Sequence, residues 1–195
     1  MRSSWVVIAV MTITSSMFGD DCQEFADRVA AVPSRGVSRV VIYGGAGFLH
    51  VEGRSDATEI RAEGRACAPI EHLLVAMLLK ATRAGDVVTI KATVPREQKT
   101  FLEAAPRLDF TVIVPASVSV EIGDTGGDLV VSGVARVRAA VASGNVEIHQ
   151  IAGDVDLLDK NGNVRVSDVS GNLTLRLKPT AHLTYVRVAG RVSRD

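Results

Sequence analysis

Between Gly127 and Leu175, aliphatic residues recur at alternate positions inside short units that each open on Gly followed by Asp or Asn. The units are Gly127-Asp128-Leu129-Val130-Val131, Gly144-Asn145-Val146-Glu147-Ile148, Gly153-Asp154-Val155-Asp156-Leu157, Gly162-Asn163-Val164-Arg165-Val166 and Gly171-Asn172-Leu173-Thr174-Leu175. Their glycines are spaced 17, 9, 9 and 9 residues apart, and the long gap holds a degenerate copy, Ala135-Arg136-Val137-Arg138-Ala139. Alternation with a period of two is the mark of a strand with one buried face. A short fixed period of strand and turn is the mark of stacked β-rungs. Gly127, Gly144, Gly153, Gly162 and Gly171 are therefore expected at repeat corners. Gly would supply positive φ there, and the Asx side chain would bond its own backbone. Nine residues hold about five of strand and four of turn, so two units would close one coil. The expected fold is all-β, a β-solenoid or β-helix of nine-residue half-coils. Leu129, Val131, Val146, Ile148, Val155, Leu157, Val164, Val166, Leu173 and Leu175 would line one core. At about 1.5–3 kcal/mol each, their burial contributes at most on the order of 15–30 kcal/mol.

Upstream, Val37–Tyr43, Phe48–Gly53, Ala57–Glu63, Val87–Val94 and Leu108–Val114 read as further short strands punctuated by Gly, Pro and charged turns. Pro95 to Pro106 reads as a polar loop. Ile70, Leu73, Leu74, Met77, Leu78 and Ala81 fall on a helical face after Pro69, while a hairpin beginning at Val75 suits the same stretch. The expectation is a helical turn followed by strand. A stack of rungs has two raw ends. The segment before Gly127 is expected to cap one end, and the tail after Pro179, with Tyr185, Arg187, Arg191 and Arg194, to cap the other. Residues 20–195 then form a single domain: an N-terminal β region and cap over 20–115, regular repeats over 116–178, and a C-terminal cap over 179–195.

Residues 1–19 read as an export signal: Arg2, an apolar stretch from Trp5 to Thr14, and a small-residue end before Asp20 and Asp21. That stretch is too short to span a bilayer as a helix. In the oxidising compartment that export implies, Cys22 and Cys67 are expected to form a disulfide, closing a loop of about 45 residues worth about 4 kcal/mol in the chain-entropy model. The chain carries 22 basic and 22 acidic residues. No overall field thus favours nucleic acid or an anionic membrane. Aromatic residues make up 4% of the chain, which counts against stacking platforms for bases or sugars.

The signal segment, the stretch Val40-Val41-Ile42-Tyr43-Gly44-Gly45-Ala46-Gly47-Phe48-Leu49-His50-Val51-Glu52-Gly53, the run Arg65-Ala66-Cys67-Ala68, the strand Leu108–Pro115 and the Gly-Asx rungs together resemble a bacterial family of exported β-strand-repeat proteins labelled adhesins, of unknown function. The resemblance covers most of residues 22–178. It implies a β-solenoid in the cell envelope or periplasm and carries over no catalytic residue. Other motifs fall to their context. Gly44-Gly45-Ala46-Gly47 lacks the following helix that a dinucleotide site needs. Asp124-Thr125-Gly126 is one triplet where an aspartic protease needs two carboxylates. Asp124, Asp128, Asp154, Asp156 and Asp159 are too sparse for a calcium β-roll. The four histidines lack metal-ligand spacing. No cofactor, metal or catalytic residue is expected. The expected role is structural, adhesive or binding, with an envelope protein or glycan as partner, no nucleic acid, and a monomeric or weakly oligomeric state. The competing class is a polysaccharide-acting β-helix enzyme, for which Asp156 and Arg165 come closest to a working pair.

Overall fold

The computed structural model describes residues 22–95, 105–178 and 181–194. The expected export signal of residues 1–19 and Pro179 lie outside them, as does most of the Pro95–Pro106 connection. The described chain is nearly all β. Its first half holds β1 (Glu24–Pro33), β2 (Arg39–Ala46), β3 (Leu49–Arg54), β4 (Glu59–Ala68), the short helix α1 (Glu71–Ala76), β5 (Leu78–Ala84), β6 (Val87–Thr93) and β7 (Arg107–Pro115). Then follow β8 (Ser119–Gly126), β9 (Leu129–Ser132), β10 (Arg136–Ser143), β11 (Val146–Ile151), β12 (Val155–Asp159), β13 (Val164–Val169), β14 (Leu173–Leu177), β15 (Leu183–Val188) and β16 (Val192–Arg194). The ambiguous stretch after Pro69 is helix first and strand second, as its pattern indicates. The sequence pattern misses β1, whose alternation is carried largely by half-buried Ala and Val.

Two mixed eight-stranded sheets result. The first runs β1-β4-β7-β3-β9-β11-β13-β15 and the second β16-β14-β12-β10-β8-β2-β6-β5. Pairs β1–β4, β4–β7 and β5–β6 are antiparallel, and all others are parallel. From β8 onward the chain alternates between the sheets at every corner. Val146 stands beside Val164, and Val155 beside Leu173, so each strand pairs with the one two units later. This parallel register does not begin at Gly127: β2 already pairs β8, and β3 pairs β9. Nor does it end at Leu177, because β15 and β16 add one strand to each sheet. The ten aliphatic residues of the repeat are all buried, and they join Val40, Ile42, Leu49, Val51 and the inward residues of β6 and β7 in one core.

The corners work differently from the expectation. Of the five repeat glycines only Gly144 has a positive φ, 110°. Glycine is needed because the corners stack in contact. A Cβ on Gly127 would strike the carbonyl of Gly47, one on Gly144 that of Gly127, and one on Gly162 that of Gly144. Gly171 sits likewise on the backbone of Gly153, and Gly190 on Gly171. The five glycines thus divide into two columns at opposite edges of the stack. The Gly44–Gly47 segment is the upstream corner of one column, joining strand to strand with no helix.

The Asx side chains also bond across corners, not within them. Asp128 Oδ1 accepts from the backbone N–H of Asn145 at 2.7 Å and from its Nδ2 at 3.2 Å. Asn163 Nδ2 in turn donates to Asn145 Oδ1 at 3.0 Å. In the other column Asp154 Oδ1 accepts from Asn172 N at 2.9 Å, and Asn172 Oδ1 accepts from Arg191 N at 2.9 Å. An acceptor-only carboxylate starts each ladder. Asn145 and Asn172, in the middle of each ladder, both donate and accept, which a carboxylate could not do.

Cys22 and Cys67 are bonded, with Cα atoms 5.7 Å apart, tying the start of β1 to the end of β4. At this end of the stack Arg28 donates to the carbonyls of Leu74 and Met77, both at 2.8 Å. Arg83 donates to those of Pro33 and Arg35 at 3.1 and 2.8 Å. The helix and these two arginines close the end.

Candidate binding face

Among the outward positions of the first sheet, two adjacent rows each cross all eight of its strands. Strand pairing puts Asp27, Arg65 and Asp109 in one line. Phe48 continues that line beside Asp109, donating its backbone N–H to Asp109 Oδ1 at 2.7 Å. The ladder residues Asp128, Asn145 and Asn163 follow, and His182 ends it. The adjacent row runs Val29, Glu63, Thr111, His50 on one side. It continues through Val130, Glu147, Arg165 and Thr184 on the other.

These rows line two troughs that meet at Phe48. One, of about 530 Å³, lies over β1, β4 and β7 and touches Val29, Glu63, Arg65 and Thr111. The other, of about 470 Å³, lies over β9, β11, β13 and β15 and touches Asp128, Asn145, Glu147, Asn163, Arg165 and Thr184. Phe48 is 39% exposed although it is a large apolar ring. The His50 ring lies 6.4 Å from it. Successive strands are about 4.8 Å apart, so seven spacings give the face a length of roughly 34 Å.

The face carries both signs of charge, partly compensated from its flank. Arg107 Nε lies 3.2 Å from Asp109, and Arg61 Nε lies 2.8 Å from Glu63. Arg65 stacks on Phe25, its guanidinium carbon 4.3 Å from the ring centre. What remains is a strip of carboxylate, amide, hydroxyl, imidazole and guanidinium groups around one exposed ring. Asn145 and Asn163 each spend one amide hydrogen on the ladder and keep the other. Among the described residues no group of three or more His, Cys, Asp or Glu is placed to hold a metal ion.

The second sheet presents a different surface. Asp156 accepts from Arg138 at 3.3 Å and from Arg176 at 2.6 Å, and Arg39 meets Glu121 at 3.5 Å. This sheet carries a trough of about 280 Å³ touching Tyr43, Gly123, Ala140 and Leu158, and another of about 430 Å³ lined by Arg39, Glu121, Arg136, Arg138, Asp154 and Asp156. Those ions already face each other. Asp156 stands on this sheet and Arg165 on the other, so the two do not share one groove. Asp128 and Asp154 stand at opposite corners, and Asp159 is buried, so the acidic residues of the repeat are dispersed. The Thr125 side chain of the Asp-Thr-Gly triplet is buried inside the stack.

Sequence reasoning, by assigning Val146, Ile148, Val164 and Val166 to the core, leaves Glu147 and Arg165 between them facing outward, and there they lie. It missed Phe48, Asp109 and Thr111, because the alignment of β7 and β3 beside the repeats crosses 60 residues of intervening chain. The only signal was Phe48 itself, an aromatic just past a glycine corner.

No protein-family model matches the chain, and no curated protein matches its sequence. Among solved structures it is similar to "a putative cell adhesion protein" from Clostridium sporogenes, at 12% identity and a TM-score of 0.36, covering 88% of this chain and 99% of that one. It is similar to "a putative adhesin" from Parabacteroides merdae, at 10% identity and a TM-score of 0.29, covering 89% and 97%. A third, described in the same words, is from Bacteroides fragilis, at 12% identity and a TM-score of 0.30, covering 90% and 99%. Likenesses this distant carry no weight for function.

Proposed function

We propose that the chain is an exported β-solenoid of the cell envelope that binds an extended, polyhydroxylated polymer, a glycan strand, along the outer face of the first sheet, without chemistry. The residues 1–19 serve as its export signal, and the rest forms one domain. The two troughs, which share Phe48 and follow the same two rows, carry this reading. A polymer crossing the strands meets a fresh set of polar groups about every 4.8 Å. Amides and hydroxyls both give and accept hydrogen bonds, carboxylates accept them and guanidinium groups give them, so a ligand's hydroxyl groups find either partner, and a neutral ligand suits a face of mixed sign. Low aromatic content argues against an extended stacking platform, but one ring at the centre suffices to seat the apolar face of a sugar while its neighbours read the hydroxyls.

The test is retention of the full chain on immobilised envelope glycans, with affinities measured by calorimetry. Phe48→Ala is expected to weaken binding about tenfold or more, whereas Leu158→Ala on the second sheet leaves it unchanged. Binding that survives Phe48→Ala and is lost with the second sheet's residues would move the site. Turnover of the polymer in place of stable binding would overturn the non-catalytic reading.

A further inference from the structure

We infer that the far end of the stack, the free edges of β15 and β16, is a docking site for an extended acidic strand of another protein, added by β-augmentation. The inward line Val51, Val131, Ile148 and Val166 is fully buried, yet its next member, Tyr185, is 47% exposed, and Val186 beside it is 46% exposed. The last rung therefore shows a core-type position, Tyr185, to solvent, and Val186, which pairs with Ser167 in an outward line, adds apolar surface beside it. His182 O accepts from Val164 N, so His182 and Thr184 turn their backbone toward β13. Leu183 and Tyr185 consequently present N–H and C=O groups to the open edge. Arg191 O accepts from Leu173 N, which leaves Val192 and Arg194 in the same position on β16. Unpaired edges of this kind are templates for strand addition.

Charge selects the occupant. Arg187 is held by both oxygens of Asp168. Arg191 and Arg194 flank the edge with no acidic partner among the described residues. Two copies meeting at this end would set those arginines against each other. Head-to-tail stacking meets the opposite end, where α1 lies and Arg28 and Arg83 donate to the carbonyls of Leu74, Met77, Pro33 and Arg35. A partner strand alternating acidic and apolar residues satisfies both the edge and its charge.

The test is fluorescence anisotropy of the full chain with labelled octapeptides. A Val/Asp alternating peptide is expected to bind, at least tenfold more tightly than its Val/Lys counterpart, and to weaken with salt. Alternate N-methylation of the peptide backbone should abolish binding, and Arg191→Glu with Arg194→Glu should reverse the charge preference. Tyr185→Pro, which removes an N–H that has no partner in the sheet, should weaken it as well. Equal binding of both peptides, or binding that ignores N-methylation, would overturn the proposal. So would sedimentation showing a dimer that excludes the peptide, because a second copy would then cover this edge. Glycan binding is read separately by Phe48→Ala, so the two sites stand or fall independently.

Discussion

Asp159 ends β12 with its side chain turned into the core, between Val141 and Leu177 on the neighbouring strands. It is 1% exposed, and Oδ2 has no partner, while Oδ1 accepts from Asn161 N at 3.1 Å. Burial raises its carboxyl above the ordinary value; the Asn161 and Lys160 amides and the Lys178 charge pull downward without cancelling that effect. The folded protein therefore holds this proton more tightly than the unfolded chain does. Stability falls as pH rises from the unfolded value through the folded one, and the cost is fully present at neutral pH. Asp159→Asn keeps the acceptor and removes the charge. It is expected to raise stability at pH 7 by about 1–2 kcal/mol, the scale of an unsatisfied buried polar group. Near pH 3, where the carboxyl is neutral in both states, it should change little. Urea unfolding at the two pH values checks this, and a loss of stability at pH 7 would mean that the carboxylate's bonds outweigh its burial.

The strand-and-corner unit was largely legible in the sequence, because alternation of Val146, Glu147 and Ile148 and the nine-residue spacing are local signals. The mechanism of the corner was not. Gly162 looks like a turn glycine, but its φ is not positive, and its constraint comes from Gly144, a residue 18 positions away whose carbonyl fills the space of a Cβ. A single sequence shows the glycine and hides the neighbour. The same blindness hid the face: Phe48 becomes central only because Asp109 and Asp128 flank it in register. The cost of the backbone contact is isolated by comparing two glycines that both lack positive φ. Gly162→Ala drives a methyl into backbone that cannot yield, and is expected to cost about 3 kcal/mol or more. Gly123, mid-strand on the second sheet, would place its Cβ 3.8 Å from the Tyr43 ring with nothing nearer. Gly123→Ala is expected to stabilise by about 0.5–1 kcal/mol through lost unfolded-state freedom. Thermal melts of the two variants decide it; equal effects would remove the stacked-corner account.

The ends of the whole molecule are held by different forces. In the middle, each rung buries aliphatic side chains against two neighbours, so opening one rung exposes core on both sides. β1 gives the core only the partly buried Ala26, Ala30 and Val32. It is fastened instead by its antiparallel register with β4, by the Arg28 bonds and by the Cys22–Cys67 bridge. Reduction should therefore act unevenly. The bridge closes a sequence separation of 45 residues, which in the chain-entropy model is worth about 4 kcal/mol if loss of β1 and global unfolding are one event. With so little apolar burial, β1 should detach first, and the loss is expected to be local. Hydrogen exchange on Cys22→Ser with Cys67→Ser should show protection over Glu24–Pro33 falling by tenfold or more, while β9, β11 and β13 keep theirs. A uniform fall across every strand would instead make the two sheets a single cooperative unit from β1 to β16. The end closed by α1 would then depend on covalent linkage for the stability of the entire stack.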